Sequence, residues 1–218
     1  MNWWRIRPGG AAPGGSGGAL PRVSTVAALT ALSLALFGCA SGQPSARSGG
    51  AGQPAATGFG WFHPGPAPGA WLRASLGGQR ATLSYPGSLR PMHGDAGTVT
   101  VGSTARSGQV LLYLNVTPKQ GDETLRNWTG FRLEHLREDG QFAVHLDGTS
   151  PPLHFRGGPG RCVIDHYTTK DRGNHYDEIA CIVQGAHATS VLVAAAPTTV
   201  WQANRALLEK VVSAYQVS

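Results

Sequence analysis

The sequence predicts an α+β domain, an antiparallel sheet of about six to eight strands packed by two main helices. Three observations lead there. Short apolar runs of strand length recur along the chain, with turn-forming residues between them. Two segments break this pattern with apolar residues at helical spacing. The stretch that holds all of these elements, residues 70–218, is an ordinary length for one domain and long enough for a sizeable core.

Two further segments precede the domain. Residues 1–38 read as a secretory signal, with basic residues Arg5, Arg7 and Arg22, an apolar run from Val23 to Phe37, and the small residue Gly38. The apolar run is about 15 residues, shorter than the roughly 20 that span a bilayer as a helix. The order Leu36-Phe37-Gly38-Cys39-Ala40-Ser41-Gly42 resembles a bacterial lipobox. That resemblance implies cleavage before Cys39, lipid chains on the new terminal cysteine, and display on the extracytoplasmic face of the cell membrane. The membrane is then a partner through the lipid anchor. Cleavage would also remove three arginines and no acidic residue, lowering the formal charge from +6 to +3. Lysine occurs only at Lys119, Lys170 and Lys210 and the arginines are scattered, so no nucleic-acid partner is expected. Residues 39–69 are Gly, Ser, Ala, Pro and Gln with few apolar groups, the composition of a flexible tether. About 30 such residues reach roughly 30 Å, enough to hold a domain clear of the headgroups. Trp61 and Phe62 interrupt that composition and are expected to dock on the domain.

Within the domain the strands fall near Ala81–Tyr85, Gly97–Ser103 and Val110–Thr117, then Phe142–Leu146, Leu153–Arg156, Cys162–Thr169, Tyr176–Gln184 and Ser190–Ala196. The first helix is expected to start near Asp122, whose carboxylate can cap free amides, with Glu123 at the positive end of the helix dipole. It carries Leu125, Trp128, Phe131 and Leu136 to about Glu138, and Gly140 stops it. The second helix follows Pro197, with Thr199 and Gln202 at the spacing of a capping box. Trp201, Leu208, Val211 and Tyr215, widened by Leu207 and Val212, form one face that packs on a sheet.

Cys162 and Cys181 are the two thiols left once Cys39 is lipidated, and an oxidising compartment favours their pairing. Register argues the same way. A hairpin turning at Asp171 and Arg172 sets Cys162 opposite Cys181, Ile164 opposite Ile179, Tyr167 opposite Tyr176 and His166 opposite Asp177. A disulfide closing this loop contributes about 3 kcal/mol in the chain-entropy treatment. One pair conflicts: Asp165 faces Glu178 with like charge, which requires an irregular loop, solvent, or a cation.

The search for catalytic spacing yields little. Gly14-Gly15-Ser16-Gly17-Gly18 matches a nucleophile-elbow pattern but lies in the segment to be cleaved, without the strand and helix such an elbow needs. Glu134-His135 and Glu138 do not form a two-histidine zinc pattern, and a solvated helix face explains them. His154, His166 and His175, with Asp165, Asp177 and Glu178, would form a metal or acid-base site if their strands converge. The segment Arg156-Gly157-Gly158-Pro159-Gly160-Arg161 lacks the ending and the helix of a phosphate loop and reads as a connection between strands. No cofactor is implied.

The order β-β-β-α-β-β-β-β-α, the strand end at Tyr85-Pro86 and the last helix with Trp201, Leu208, Val211 and Ser213-Ala214-Tyr215 resemble the Mog1/PsbP-like fold, an α/β/α sandwich. The stretches Thr117-Pro118-Lys119-Gln120-Gly121-Asp122-Glu123-Thr124 and Cys162-Val163-Ile164-Asp165 are similar to actinobacterial lipoproteins. That resemblance implies a binding or assembly module and not an enzyme, with no catalytic residue to carry over. The expected function is a lipid-anchored, non-catalytic module of the cell envelope with a protein or cell-wall partner. The alternatives are a small-ligand carrier, needing an apolar pocket of several hundred Å³ between sheet and helix, and an envelope hydrolase or metal-dependent enzyme built on the hairpin histidines and acids.

Overall fold

The computed structural model describes residues 58–171 and 173–218. The signal segment, Cys39 and most of the expected tether lie outside the described residues. In chain order the elements are β1 (Leu72–Leu76), β2 (Ala81–Tyr85), β3 (Arg90–Pro91), β4 (Val99–Thr104), β5 (Val110–Pro118), α1 (Trp128–Glu138), β6 (Phe142–Thr149), β7 (Leu153–Phe155), β8 (Gly158–Thr168), β9 (His175–Gln184), β10 (Thr189–Pro197), α2 (Thr198–Ser213) and β11 (Gln216–Val217). An eight-stranded antiparallel sheet runs β3-β4-β5-β10-β9-β8-β6, with β7 also paired to β8, and a small sheet runs β1-β2-β11.

Alternation along the central strands sends side chains to two separate cores. On β9, Ile179, Cys181 and Val183 join Trp201, Leu208, Val211 and Val212 of α2 and Leu83 of β2. Ala180 and Ile182 point the other way, to Trp128 and Leu136 of α1. The large sheet is thus the middle layer, with α1 on one face and α2 and the small sheet on the other. The hairpin register is as expected from the sequence: Cys162 pairs Cys181, Ile164 pairs Ile179, Asp165 pairs Glu178, His166 pairs Asp177 and Tyr167 pairs Tyr176.

Several boundaries differ from expectation. The first helix starts at Trp128 and not near Asp122. The reason is Glu123, which is buried and whose carboxylate accepts the Gln120 and Gly121 amides, both at 2.7 Å, so the chain loops before it coils. Asn127 turns its side chain back to accept from the Thr124 amide at 2.6 Å, which leaves the helix without a side-chain cap. The helix ends as expected at Gly140, in a Schellman motif: Gln141 N–H donates to Leu136 O and Gly140 N–H to Arg137 O. At α2 the capping box is not formed, since Pro197 occupies the cap position and Thr198 is already helical. The fixed φ of proline presets that entry.

Packing also begins earlier than residue 70. Phe59 is buried, Phe62 lies 4.7 Å from the Phe155 ring, and Trp61 packs beside them. The amides of His63 and Gly65 donate to the Ser213 hydroxyl and carbonyl. Residues 59–66 therefore form a strap over the end of α2, in the stretch the composition assigns to the tether. The segment Arg156–Arg161 does link two strands, but most of it is strand. β8 starts at Gly158, and the turn is confined to Arg156 and Gly157.

Candidate functional site

The hairpin β8–β9 carries most of the residues that the sequence singles out, and its alternation divides them between faces. Cys162 and Cys181 face the α2 core, both buried, with sulfurs 2.05 Å apart and Cα atoms 4.0 Å apart. His166 also emerges on a half-exposed part of the sheet. It takes Asp147 of the edge strand β6 as its partner (Nδ1 to Oδ2, 2.8 Å) and stacks on His145 at 4.9 Å, despite standing opposite Asp177 in the β8–β9 register. His175 shares a hydrogen bond with the Thr168 hydroxyl at 2.9 Å. His154 sits on β7 opposite Pro159, at the far end of β8. The three histidines do not converge. No group of three or more His, Cys, Asp or Glu side chains with metal-binding geometry occurs among the described residues.

The opposite face holds a buried ionic cluster. Asp165 and Glu178, paired across the hairpin, are both fully buried beneath α1. Arg132 of α1 reaches down between Trp128 and Leu136, the other two fully covered side chains of that helix, and donates through Nε to Glu178 Oε1 at 2.8 Å. Its Nη2 donates to the same oxygen. Both bonds thus end on Oε1, and Glu178 Oε2 has no hydrogen-bond partner, nor has either oxygen of Asp165. Burial works against the Arg132 charge, but Glu178, Asp165 and Tyr167 outweigh it and hold the guanidinium protonated. Burial, with Glu178 alongside, pushes the Asp165 carboxyl well above the usual carboxylate range. Burial likewise raises the phenols of Tyr167 and Tyr113, keeping them neutral.

The like-charge conflict at Asp165 and Glu178 is therefore met by a cation, and that cation is Arg132. Sequence reasoning passed over Arg132 because charged helix residues usually face water. The signal was its position four residues from both Trp128 and Leu136, in the middle of the apolar stripe.

Two recesses adjoin these elements. A cleft of about 60 Å³ opens between α1 and the sheet, lined by Trp128, Phe131, Arg132 and His135 from the helix and by Asn115 and Val193 from the strands. It falls short of the several hundred Å³ that a small-ligand carrier would need. A more open groove of about 310 Å³ runs between the strap and the last turns of α2, lined by Trp61, His63, Pro66, Glu209, Lys210 and Ser213. Arg205 donates to Glu209 at 2.7 Å, and the Lys210 ammonium lies 6.0 Å from the Trp71 ring. Two of its lining side chains, Glu209 and Lys210, are thus held by an ion pair and a cation–π contact. No described helix is long and apolar enough to cross a membrane.

No protein-family model and no curated protein matches the sequence. Solved structures are similar in fold. Cyanobacterial PsbP (CyanoP) from Synechocystis sp. PCC 6803 aligns with a TM-score of 0.50 at 14% identity, over 71% of this chain and 98% of that one. The Ran-binding protein Mog1p of Saccharomyces cerevisiae aligns at 0.49 and 13% identity, over 67% of this chain and 95% of its own. LpqN, involved in cell envelope biogenesis of Mycobacterium tuberculosis, aligns at 0.42 and 13% identity, over 68% and 90%. At such identities the likeness concerns architecture alone. The chain has the Mog1/PsbP-like α+β fold expected from its element order.

Proposed function

We propose that this protein is a lipid-anchored, non-catalytic binding module of the cell envelope, held on the extracytoplasmic face through Cys39, which contacts a protein or cell-wall partner through the groove beside its strap. The observation that carries the reading is the position of that groove. Its volume lies at the lower end of the range of ligand sites, and one wall is the aromatic strap, which lies within the stretch expected as the tether. A partner seated there would contact Trp61, which offers a large apolar face, together with His63, Glu209 and Lys210, which offer charge and hydrogen bonds. The Cys162–Cys181 pair fits the same reading, as a disulfide that forms on export.

The test is crosslinking in cells of the tagged full-length chain, with Cys39→Ala and a Trp61→Ala/Lys210→Glu double variant as controls. The reading expects one stoichiometric envelope component that is lost in both controls, and a detergent-phase partition lost only with Cys39→Ala. If the Cys39→Ala chain still partitions into detergent, the anchor assignment fails. If the captured component survives the groove variant, the groove assignment fails while the anchor stands.

A further inference from the structure

Asp165 and Glu178 stand directly opposite one another on adjacent strands, both without solvent contact, and among the described residues the basic side chain paired with Glu178 is Arg132. Both of its bonds go to one oxygen of Glu178, and three carboxylate oxygens are left with no hydrogen-bond partner. Two ionised carboxylates and one guanidinium would leave a net negative charge in a dry site, the arrangement that protein interiors tolerate least. The strands cannot easily separate the acids, since β8 and β9 pair along their length and are tied at Cys162 and Cys181. The element able to respond is α1, which is 11 residues long and fully covers only Trp128, Arg132 and Leu136.

We propose that α1 is latched to the sheet by a single proton: Arg132 neutralises Glu178, a proton on Asp165 neutralises the second carboxyl, and loss of that proton to solvent loosens the helix and widens the cleft beneath it. The cleft depends on the latch because Trp128, Phe131, Arg132 and His135 form its helical wall. The groups on its own face of the sheet are Glu178 of β9, Arg132 of α1 and Tyr167 of its own strand, and Asp177 of β9 and Asp147 of β6 act on it from the other face. Each acid among them adds negative potential and opposes ionisation, and Arg132 opposes them.

The sign follows from burial. The Asp165 carboxyl holds its proton in the folded chain at pH values where the unfolded chain has released it. This contribution is complete below the unfolded pKa near 4 and is lost as pH rises towards the folded one. Over that window the unfolding equilibrium constant of the wild type should rise by up to tenfold per pH unit relative to Asp165→Asn, whose amide stays neutral throughout. His135 is pushed the other way by burial and destabilises the fold as pH falls below about 6.5, but it is common to both chains and cancels in the comparison.

The experiment pairs urea unfolding of wild type and Asp165→Asn from pH 5 to 9 with a carboxyl-carbon NMR titration of the wild type, which needs no variant to fold. The expected results are a protonated Asp165 at pH 6 and wild-type stability falling against the variant as pH rises. Amide-exchange protection over residues 128–138 should fall with it, in the wild type only. An ionised Asp165 at pH 6, or identical pH slopes in the two chains, overturns the proposal.

Discussion

Replacing Gly157 with alanine should damage this fold more than any other single methyl group added to a turn. Gly157 lies between β7 and β8 at φ +104, and a Cβ built there meets the Val217 carbonyl oxygen at 1.5 Å and its carbon at 2.6 Å. Those are backbone atoms, so no rotamer change relieves the clash. Either the turn rebuilds or β11 moves away. If β11 moves, the hydrogen bonds from Val217 N–H to Arg156 O and from Ser218 N–H to Arg80 O are lost, at about 1 kcal/mol each. Val217, which is 1% exposed, leaves the core at a further cost of about 1.5–3 kcal/mol. Alanine at a positive φ adds about 1–2 kcal/mol. The loss should therefore reach about 4 kcal/mol or more, a large part of the 5–15 kcal/mol typical of a domain. Gly97→Ala separates strain from clash: its φ is +80, yet nothing lies within 4 Å of the added methyl, so only about 1–2 kcal/mol is expected. Urea unfolding of the two variants against the wild type is the assay. Equal losses would show that β11 is not wedged against the turn and would refute the reasoning.

Three further outcomes follow from the packing. Ala143, at φ +47 where β6 begins its irregular pairing with β8, should accept glycine with a gain of about 0.5–1 kcal/mol, read as a raised urea midpoint. Phe59→Ala should cost about 3–5 kcal/mol, and a chain begun at residue 70 should be destabilised as well, because the strap belongs to the core; thermal unfolding unchanged by both would place the domain boundary where composition puts it. Cys162→Ala/Cys181→Ala should lower stability by about 2–5 kcal/mol, and reductant should lower the wild type but not the double variant.

The parts of the fold that were legible in the sequence are those where several signals coincide. The β8–β9 hairpin has a turn signal, a pair of cysteines, a pair of tyrosines and a pair of isoleucines that agree on one register, so a slip of one residue would break all of them at once. The face of α2 was readable for the same reason, with Trp201, Leu208 and Val211 on one stripe. What escaped notice has a weak local signature. β1 is largely exposed, β3 is two residues long and ends in a proline, and β11 is two residues long, separated from α2 only by Ala214 and Tyr215. Each exists because a neighbouring strand offers it a partner. The start of α1 was misplaced because Glu123 competes for amides that a helix would otherwise leave free, a tertiary choice made possible by burying that residue.

The buried acids show how a conflict in sequence can be informative. Like charges directly opposite on adjacent strands destabilise a sheet, so the Asp165–Glu178 pair requires compensation from another element. The face of the sheet on which the pair falls decides which element supplies it. Odd positions of β8 and even positions of β9 face α1, where Arg132 interrupts the apolar stripe between Trp128 and Leu136. Had the whole hairpin slipped by one residue against β10, both acids would face the apolar α2 layer, whose buried helix residues Trp201, Leu208, Val211 and Val212 offer no cation. The conflict and its cation therefore specify one another, and together with the buried Trp128 and Leu136 side chains they fix how α1 docks. An Arg132→Met change tests this directly. Removing the partner of a buried carboxylate costs about 3–5 kcal/mol, whereas Arg132→Met combined with Glu178→Gln should recover much of the loss. If the single and double variants unfold at the same urea concentration, the cluster contributes nothing to where the helix sits.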